Sequence, residues 1–166
     1  MITVACDGSC LKNPGGATGW AWATDDGRWA AGCQPTGTNQ TAELWGVLSV
    51  LRDFAVEPLH VQIDSEYAMK VATIWAPRWA RNGWKTASGA AVKNQALVKM
   101  IHRQMLVRTA SVKFEHVPGH DPGNRWPLNT EADKRARRAA IYASKTGRGA
   151  AFVAEPDGQV RVLPVE

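Results

Sequence analysis

The segment VACDGSCLKNPGGATGWAWA (residues 4–23) predicts two strands joined by a glycine-rich loop. Residues 2–7 alternate between apolar and polar side chains, with Ile2, Val4 and Cys6 on one side, which is typical of a half-buried strand. We expect this strand to end on Asp7, although Asp is a poor strand residue. The turn that follows needs Gly and Asn but does not need this acid. We therefore interpret Asp7 as a functional candidate, with a turn-initiating role as the alternative.

Length and composition indicate a single globular domain. The chain has 166 residues, of which 45% are hydrophobic, enough for one well-filled core. No apolar run reaches the roughly 18 residues that would span a bilayer, and the N-terminal residues lack the pattern of a secretory signal. The three cysteines show no C-x-x-C spacing, which favours reduced thiols. We expect a cytoplasmic protein without a membrane segment.

Positive charge is concentrated in one part of the chain. The net charge is +5, and residues 67–114 contain no Asp or Glu. Three tryptophans are interleaved with the bases of this segment, a pattern that favours a polyanionic partner. The alternative is a solvated basic helix face. The bases are Lys70, Arg78, Arg81, Lys85, Lys93, Lys99, Arg103, Arg108 and Lys113.

The periodicity of the remaining sequence predicts an α/β fold. Strands are expected at residues 18–23, 28–33, 59–64 and 111–116, and helices at 40–55, 65–72, 94–107 and 130–145, with a further helix after Pro77. A right-handed crossover through the first helix would place the fourth strand parallel to the first. Their carboxyl ends would then meet at a switch point of the sheet, where ligands tend to bind. Asp7 and Asp64 lie at these two ends.

Two further acids are candidates for the same site. We predict that Glu43 and Asp133 lie in the first turns of their helices, where complementing the helix dipole, worth about 0.3–1 kcal/mol, is the alternative explanation. Four clustered acids would repel each other strongly unless a cation lay between them. Oxygen ligands alone select Mg²⁺ or Mn²⁺, and paired ions of this kind promote in-line attack on a phosphodiester. The carboxylates and the basic segment together indicate a nuclease.

Several motifs resemble bacterial type 1 ribonuclease H, in the same order and over about residues 1–145. They are DGSCLKNPG (7–15), TNQTAEL (38–44), IDSEYA (63–68), WAPRWARNGWKT (75–86), VKN (92–94), VPGH (117–120) and NTEADKRA (129–136). The resemblance implies a ribonuclease H-like fold: a five-stranded mixed sheet, with three antiparallel meander strands and two parallel strands, flanked by helices. It also implies cleavage of the RNA strand of RNA–DNA hybrids, leaving 3′-hydroxyl and 5′-phosphate ends. The alternatives are a non-catalytic hybrid-binding module, another nuclease or an integrase on the same fold, and a structural protein.

The resemblance implies specific roles for residues of this chain. Asp7, Glu43, Asp64 and Asp133 correspond to ligands for two Mg²⁺ ions, with Mn²⁺ as a substitute, and His120 to a residue that handles protons and product release. The implied substrate contacts comprise a minor-groove set, a basic protrusion that grips the DNA strand, and a DNA phosphate pocket. The minor-groove set is Asn13, Asn39 and Gln40. The basic protrusion comprises Trp75, Arg78, Trp79, Arg81 and Lys85, and the phosphate pocket comprises Thr38 and Asn94.

The chain departs from the family pattern at a few positions that bear on the site. Glu66 stands where many relatives have Gln, so we count it among the candidate substrate contacts. Gln40 stands where Asn is usual, and Thr36 where an Arg often supports the phosphate pocket. The loop between His120 and Asp133 is also longer than usual.

The last 20 residues have no counterpart in the resemblance. We predict a catalytic domain at residues 1–146 and an extension at 147–166. Strands at 152–155 and 159–163 would form a hairpin around a turn at 156–158. An isolated hairpin is marginal in water, so this one should dock on the domain or pair with another chain. We expect the protein to be a monomer.

Overall fold

The computed structural model describes residues 1–155 and 157–165, which form a layered α/β structure. Its strands are β1 (Ile2–Cys10), β2 (Thr18–Thr24), β3 (Trp29–Gln34), β4 (Leu59–Ile63), β5 (Val112–His116), β6 (Ala150–Ala154) and β7 (Val160–Pro164). Its α-helices are α1 (Asn39–Asp53), α2 (Glu66–Lys70), α3 (Ala76–Arg81), α4 (Gln95–Val107) and α5 (Pro127–Thr146), with a π-helical turn at Val71–Trp75 between α2 and α3. In this part of the chain, no helix has the length and apolar character needed to cross a membrane.

The strands form one mixed sheet in the order β5-β4-β1-β2-β3-β6-β7. The predicted antiparallel meander of β1, β2 and β3 is confirmed, as is the parallel pairing of β4 with β1 and of β5 with β4. The predicted number of five strands is wrong, because β6 pairs with β3 and β7 pairs with β6. The predicted hairpin therefore docks on the sheet; Pro156 of its predicted turn lies outside the described residues.

The first strand continues beyond Asp7, contrary to the prediction that it ends there. Its parallel pairing with β4 stops at Cys6 and Ile63, but its antiparallel pairing with β2 continues to Cys10. Asp7 is thus the first residue past the parallel pairing, and Asp64 directly follows β4. The two acids meet at the switch point for this reason, as the topology predicted.

Each face of the sheet has its own core. On one face, α1 and α4 bury large side chains such as Leu48 and Ile101 against Val4 and Val61. On the other face, α5 presents alanines to small residues of β2 and β3. A Cβ atom at Gly19 would lie 2.1 Å from the carbonyl oxygen of Ala136. The second core consists of small residues because α5 lies directly against the sheet backbone.

The starts of α1 and α5 correct the predicted positions of two acids. A capping box begins α1: the Thr38 hydroxyl accepts a hydrogen bond from the Thr41 amide, and the Thr41 hydroxyl accepts one from the Thr38 amide. Because α1 starts at Asn39, and α5 at Pro127, Glu43 and Asp133 lie in the second turns of their helices. The helix dipole acts mainly within the first turn, so it explains these acids less well than the sequence suggested.

Candidate active site

A cleft of about 590 Å³ opens where β1 and β4 end their parallel pairing. All four predicted carboxylates line it, each supplied by a different part of the fold. Its lining consists of Asp7, Gly8, Asn39, Glu43, Asp64, Ser65, Pro118, His120, Asp121, Pro122, Trp126, Asn129, Thr130 and Asp133. The structure thus brings together acids that are up to 126 positions apart in the sequence, counting from Asp7 to Asp133.

A glycine in β1 allows α1 to approach the acids of the cleft. A Cβ atom at Gly8 would lie 2.3 Å from the carbonyl carbon of Ala42 and from the amide nitrogen of Glu43. From the other side of the contact, a Cβ atom at Gly46 would lie 3.1 Å from the carbonyl oxygen of Asp7. The close contact between the backbones of β1 and α1 therefore fixes Glu43 beside Asp7.

Asp7 is a buried acid whose neighbours disfavour its charge. It is 9% exposed, and its burial raises the pKa of the carboxyl well above the usual value of 3.8. Repulsion from Asp64 raises this pKa further, as does the nearby Asp133 carboxylate. The Gly8 amide donates a hydrogen bond of 2.7 Å to Asp7 Oδ1 and lowers the pKa, but does not offset the other effects. The cleft thus concentrates negative charge that the surrounding protein leaves largely uncompensated.

Ser65 orients the Glu43 carboxylate. Its hydroxyl donates a hydrogen bond of 2.6 Å to Glu43 Oε2 and accepts one of 3.1 Å from the Ala68 amide, so the same side chain caps α2. Burial raises the pKa of Glu43 and the charge of Asp64 adds to the increase, while the bond from Ser65 opposes it. We did not predict Ser65 as a site residue, although its N-cap position directly after Asp64 could have indicated it.

Asn129 holds Asp64 in a similar way. Its side chain is 4% exposed, and Nδ2 donates a hydrogen bond of 3.3 Å to Asp64 Oδ2. On the other side, a Cβ atom at Gly119 would lie 3.0 Å from the same Oδ2. Sequence reasoning also missed Asn129, although it is the first residue of the quoted NTEADKRA motif.

His120 is an exposed residue of the loop that forms one wall of the cleft, with a left-handed backbone (φ = 51°). The next residue, Asp121, holds this loop in place through its side chain. Its carboxylate accepts hydrogen bonds from the amides of Gly123 (3.3 Å) and Arg125 (2.7 Å), and it forms an ion pair of 3.0 Å with the Arg125 guanidinium. The Asp121 side chain is only 4% exposed, and Arg125 lowers its pKa. These contacts hold the loop in place from within.

The donor set of the cleft fits a hard divalent cation. Within the part of the chain that the structure covers, no three His, Cys, Asp or Glu side chains form a ready-made metal site. The four carboxylates nevertheless share one cleft, and carboxylate oxygens are the ligands that Mg²⁺ and Mn²⁺ prefer. The repulsion that raises the pKa of Asp7 is what a bound cation would remove.

The predicted protrusion residues gather around a second cleft of about 530 Å³. The Trp75 and Trp79 rings lie 5.8 Å apart, centroid to centroid. Trp84, by contrast, packs edge-on against His102, and Lys99 lies over its ring. The second cleft is lined by Trp75, Arg78, Trp79, Arg81, Asn82, Lys85 and Ala87. All five residues predicted for the protrusion are therefore neighbours.

Of the three predicted minor-groove residues, Asn39 lines the acidic cleft. Asn13 Oδ1 accepts a hydrogen bond of 3.2 Å from the Asn39 amide, so it ties the glycine-rich loop to the start of α1. Gln40 Oε1 is buried and has no hydrogen-bond partner among the described atoms.

The three other predicted contacts do not line the acidic cleft. Glu66 forms an exposed ion pair of 2.6 Å with Lys70 and does not line the acidic cleft. Asn94 has a left-handed backbone at the start of α4, and its side chain donates a hydrogen bond of 3.4 Å to the Tyr67 hydroxyl. The Thr38 hydroxyl is engaged in the cap of α1, and no hydrogen bond joins it to Asn94 in the described structure.

Solved structures share this architecture. The crystal structure of LC9-RNase H1, a type 1 RNase H with the type 2 active-site motif, matches with a TM-score of 0.71 at 26% identity. The match covers 85% of this chain and 72% of the LC9-RNase H1 chain. The foamy viral protease-reverse transcriptase in complex with dsDNA matches in fold with a TM-score of 0.67 at 20% identity. This match covers 85% of this chain and 94% of the viral chain. The fold therefore belongs to the ribonuclease H-like class.

Sequence comparisons identify the family within this class. The family model described as RNase H matches residues 1–141. Ribonuclease HI of Streptomyces coelicolor is 44% identical over 150 residues, which are 86% of this chain and 63% of that protein. Ribonuclease H of Xanthomonas campestris is 37% identical over 145 residues, which are 84% of this chain and 92% of that protein. Ribonuclease H of Tropheryma whipplei is 35% identical over 141 residues, which are 84% of either protein. The chain belongs to the ribonuclease H family, whose members are divalent-metal-dependent enzymes that cleave RNA–DNA hybrids, and is itself a ribonuclease H.

Proposed function

We propose that this protein is an endonuclease that hydrolyses the RNA strand of RNA–DNA hybrids by two-metal-ion catalysis, leaving 3′-hydroxyl and 5′-phosphate ends. The observation that carries the proposal is the acidic cleft, where Asp7, Glu43, Asp64 and Asp133 converge from β1, α1, the end of β4 and α5. In our proposal these four carboxylates hold two Mg²⁺ ions, for which Mn²⁺ can substitute. When bound, such ions polarise phosphoryl oxygens and generate a nucleophilic water at neutral pH.

Side chains around the carboxylates would keep the site in position. Ser65 and Asn129 donate hydrogen bonds to Glu43 and Asp64, and this support restricts the rotation of both acids before any substrate arrives. An imidazole exchanges protons near neutral pH. We therefore assign His120, at the wall of the cleft, to proton exchange with the solvent and to release of the product.

The basic protrusion would hold the DNA strand of the hybrid. Its arginines, its lysine and two neighbouring indole rings line a cleft of their own, which supports contacts with phosphates and sugars rather than with the scissile bond. We assign Asn39 to contacts with 2′-hydroxyls, which distinguish RNA from DNA. Its position in the same cleft as the carboxylates supports this assignment. The free thiols of Cys6, Cys10 and Cys33 agree with a reducing, cytoplasmic location, and we propose a monomer.

A gel assay on labelled duplexes tests the proposed function. An RNA–DNA hybrid, duplex RNA and duplex DNA are each incubated with the protein, with and without Mg²⁺. We expect cleavage of the RNA strand of the hybrid only, and only with Mg²⁺. Binding of the hybrid without cleavage under any metal condition would favour the hybrid-binding module instead.

A further inference from the structure

The outer surface of α5 carries a second concentration of positive charge, separate from the basic segment at residues 67–114. No acid occurs between residues 134 and 154. All the bases of this stretch except Arg135, which is half-buried, are exposed. The six bases are Lys134, Arg135, Arg137, Arg138, Lys145 and Arg148.

Three of these bases form one stripe along the helix. Arg138 and Lys145 follow Lys134 by four and eleven residues, spacings that return to the same side of an α-helix. The buried alanines of α5 face the sheet on the opposite side. The stripe therefore points away from the core, and the sheet separates it from α4 and the first core.

The charges of the stripe are not neutralised within the described structure. On this helix Arg135 forms an ion pair of 2.5 Å with Glu131, and no ion pair among the described residues involves Lys134, Arg138 or Lys145. A group of exposed cations without acidic partners creates a positive potential that attracts polyanions.

An aromatic groove of about 280 Å³ lies beside the stripe, between α5 and the strands β3 and β6. Its walls include Trp29, Tyr142 and Phe152, and Arg138 lies at its edge. The Tyr142 and Phe152 rings pack edge to face at 5.1 Å, and the Arg135 guanidinium lies 3.8 Å from the centre of the Trp29 ring. Cations beside aromatic rings are the two components of a surface for single-stranded nucleic acid, where phosphates contact the cations and bases stack on the rings.

The stripe begins one residue after Asp133, which lines the acidic cleft on the same helix. Lys145 follows Asp133 by twelve positions, about 18 Å at the rise of an α-helix. One nucleic acid strand in a duplex carries a phosphate about every 3.4 Å. A strand that leaves the cleft along α5 could therefore place several phosphates along the stripe.

We propose that the stripe of α5 and its aromatic groove bind single-stranded nucleic acid that extends from the hybrid in the cleft. This inference rests on the proposed function for the location of the hybrid, and adds a second substrate feature: the protein prefers hybrids with a single-stranded overhang over blunt hybrids. The shared chemistry is a flexible polyanion with unstacked bases, which either a DNA or an RNA overhang supplies.

Equilibrium binding in the absence of divalent metal tests this surface without cleavage. A fluorescent blunt hybrid is compared with the same hybrid carrying a DNA or an RNA overhang, near 0.1 M monovalent salt. The variant Arg138→Gln with Lys145→Gln removes two charges of the stripe. The control Arg103→Gln with Lys113→Gln removes two exposed charges elsewhere. Because all four side chains are exposed, we expect both double variants to fold, and their melting temperatures check this.

For the unmodified protein we expect the overhang to tighten binding by about fivefold to 25-fold, the upper value being two phosphate contacts at a salt exponent of about 0.7 each. The α5 variant should lose this preference to within about twofold, while the control keeps it. The arm that shows the preference, DNA or RNA, identifies the strand. Equal affinity of the unmodified protein for blunt and overhang hybrids would overturn the proposal. An equal change of the overhang preference in the two double variants would also overturn it. Cleavage of the blunt hybrid with Mg²⁺ is measured separately, so failure of the proposed function would be seen there and not in the overhang preference.

Discussion

Gly8→Ala tests the backbone contact that places Glu43 beside Asp7. The added Cβ atom would lie 2.3 Å from backbone atoms of α1, whereas ordinary contacts begin at 3.4 Å, so the helix must shift by roughly 1 Å. Overpacking of this kind costs about 1–3 kcal/mol, which for a domain of this size lowers the melting temperature by about 2–12 °C. Because Glu43 moves with α1, we also expect kcat to fall by about 10²-fold, the effect of a 1 Å misplacement in an active site.

The assay is steady-state cleavage of an RNA–DNA hybrid well below the melting temperature, with KM expected to change little because the basic protrusion is untouched. Gly46→Ala is the matched control in the same contact. Its Cβ atom would lie 3.1 Å from Asp7 O, which requires a shift of only a few tenths of an ångström, and replacing a helical glycine by alanine offsets up to about 1 kcal/mol. Its stability and kcat should therefore stay near the original values. A Gly8→Ala protein with an unchanged melting temperature and a kcat within about threefold of the original would show that this contact does not position Glu43.

Four further changes give distinct expected outcomes. Ser65→Ala should lower kcat by about tenfold through loss of a hydrogen bond to the charged Glu43 and move the acid limb of the pH–rate profile upward, whereas Ser65→Thr should restore both. Asp7→Asn should abolish cleavage and, without metal, raise the melting temperature. Because the pKa of Asp7 is raised in the folded protein, the original protein loses stability as the pH rises above 3.8. The difference in melting temperature between the variant and the original protein should therefore grow as the pH rises from 3.8 and vanish in acid. His120→Ala should remain measurably active, with kcat reduced by about 10²-fold in the same assay; complete inactivity would contradict a proton-exchange role. A chain that ends at Arg148 should keep its cleavage of the hybrid but melt at a lower temperature, because β6 no longer covers the edge of β3; a folded truncation without activity would contradict our domain boundary.

The sequence predicted the meeting of Asp7 and Asp64 because strand order and crossover handedness follow from a few general rules. It misplaced the end of β1, since alternation in one strand cannot reveal that two neighbours pair with it over different lengths. The positions of Glu43 and Asp133 within their helices were wrong by about one turn, because α1 begins directly after its cap Thr38 and α5 begins at Pro127, whose ring suits a first helical turn.

The supporting residues of the site were harder to predict than the acids. Ser65 and Asn129 act through single hydrogen bonds to Glu43 and Asp64, and their importance depends on distances that spacing in the sequence does not encode. The same is true of Gly8, which sequence alone presents as a loop or strand glycine but which the structure places against the backbone of α1. The two added strands, β6 and β7, were visible as a hairpin, but their attachment to β3 depends on tertiary pairing.

Cleavage of a labelled RNA–DNA hybrid by three proteins, measured side by side with Mg²⁺, tests whether the acidic cleft is the active site. Asp64→Asn removes one carboxylate of the cleft, and Asp157→Asn removes an exposed acid between β6 and β7 as a matched control. We predict that the unmodified protein and Asp157→Asn cut the RNA strand at equal rates, and that Asp64→Asn binds the hybrid but does not cut it. Cleavage by Asp64→Asn at a rate close to that of the unmodified protein would contradict the assignment of the acidic cleft as the active site.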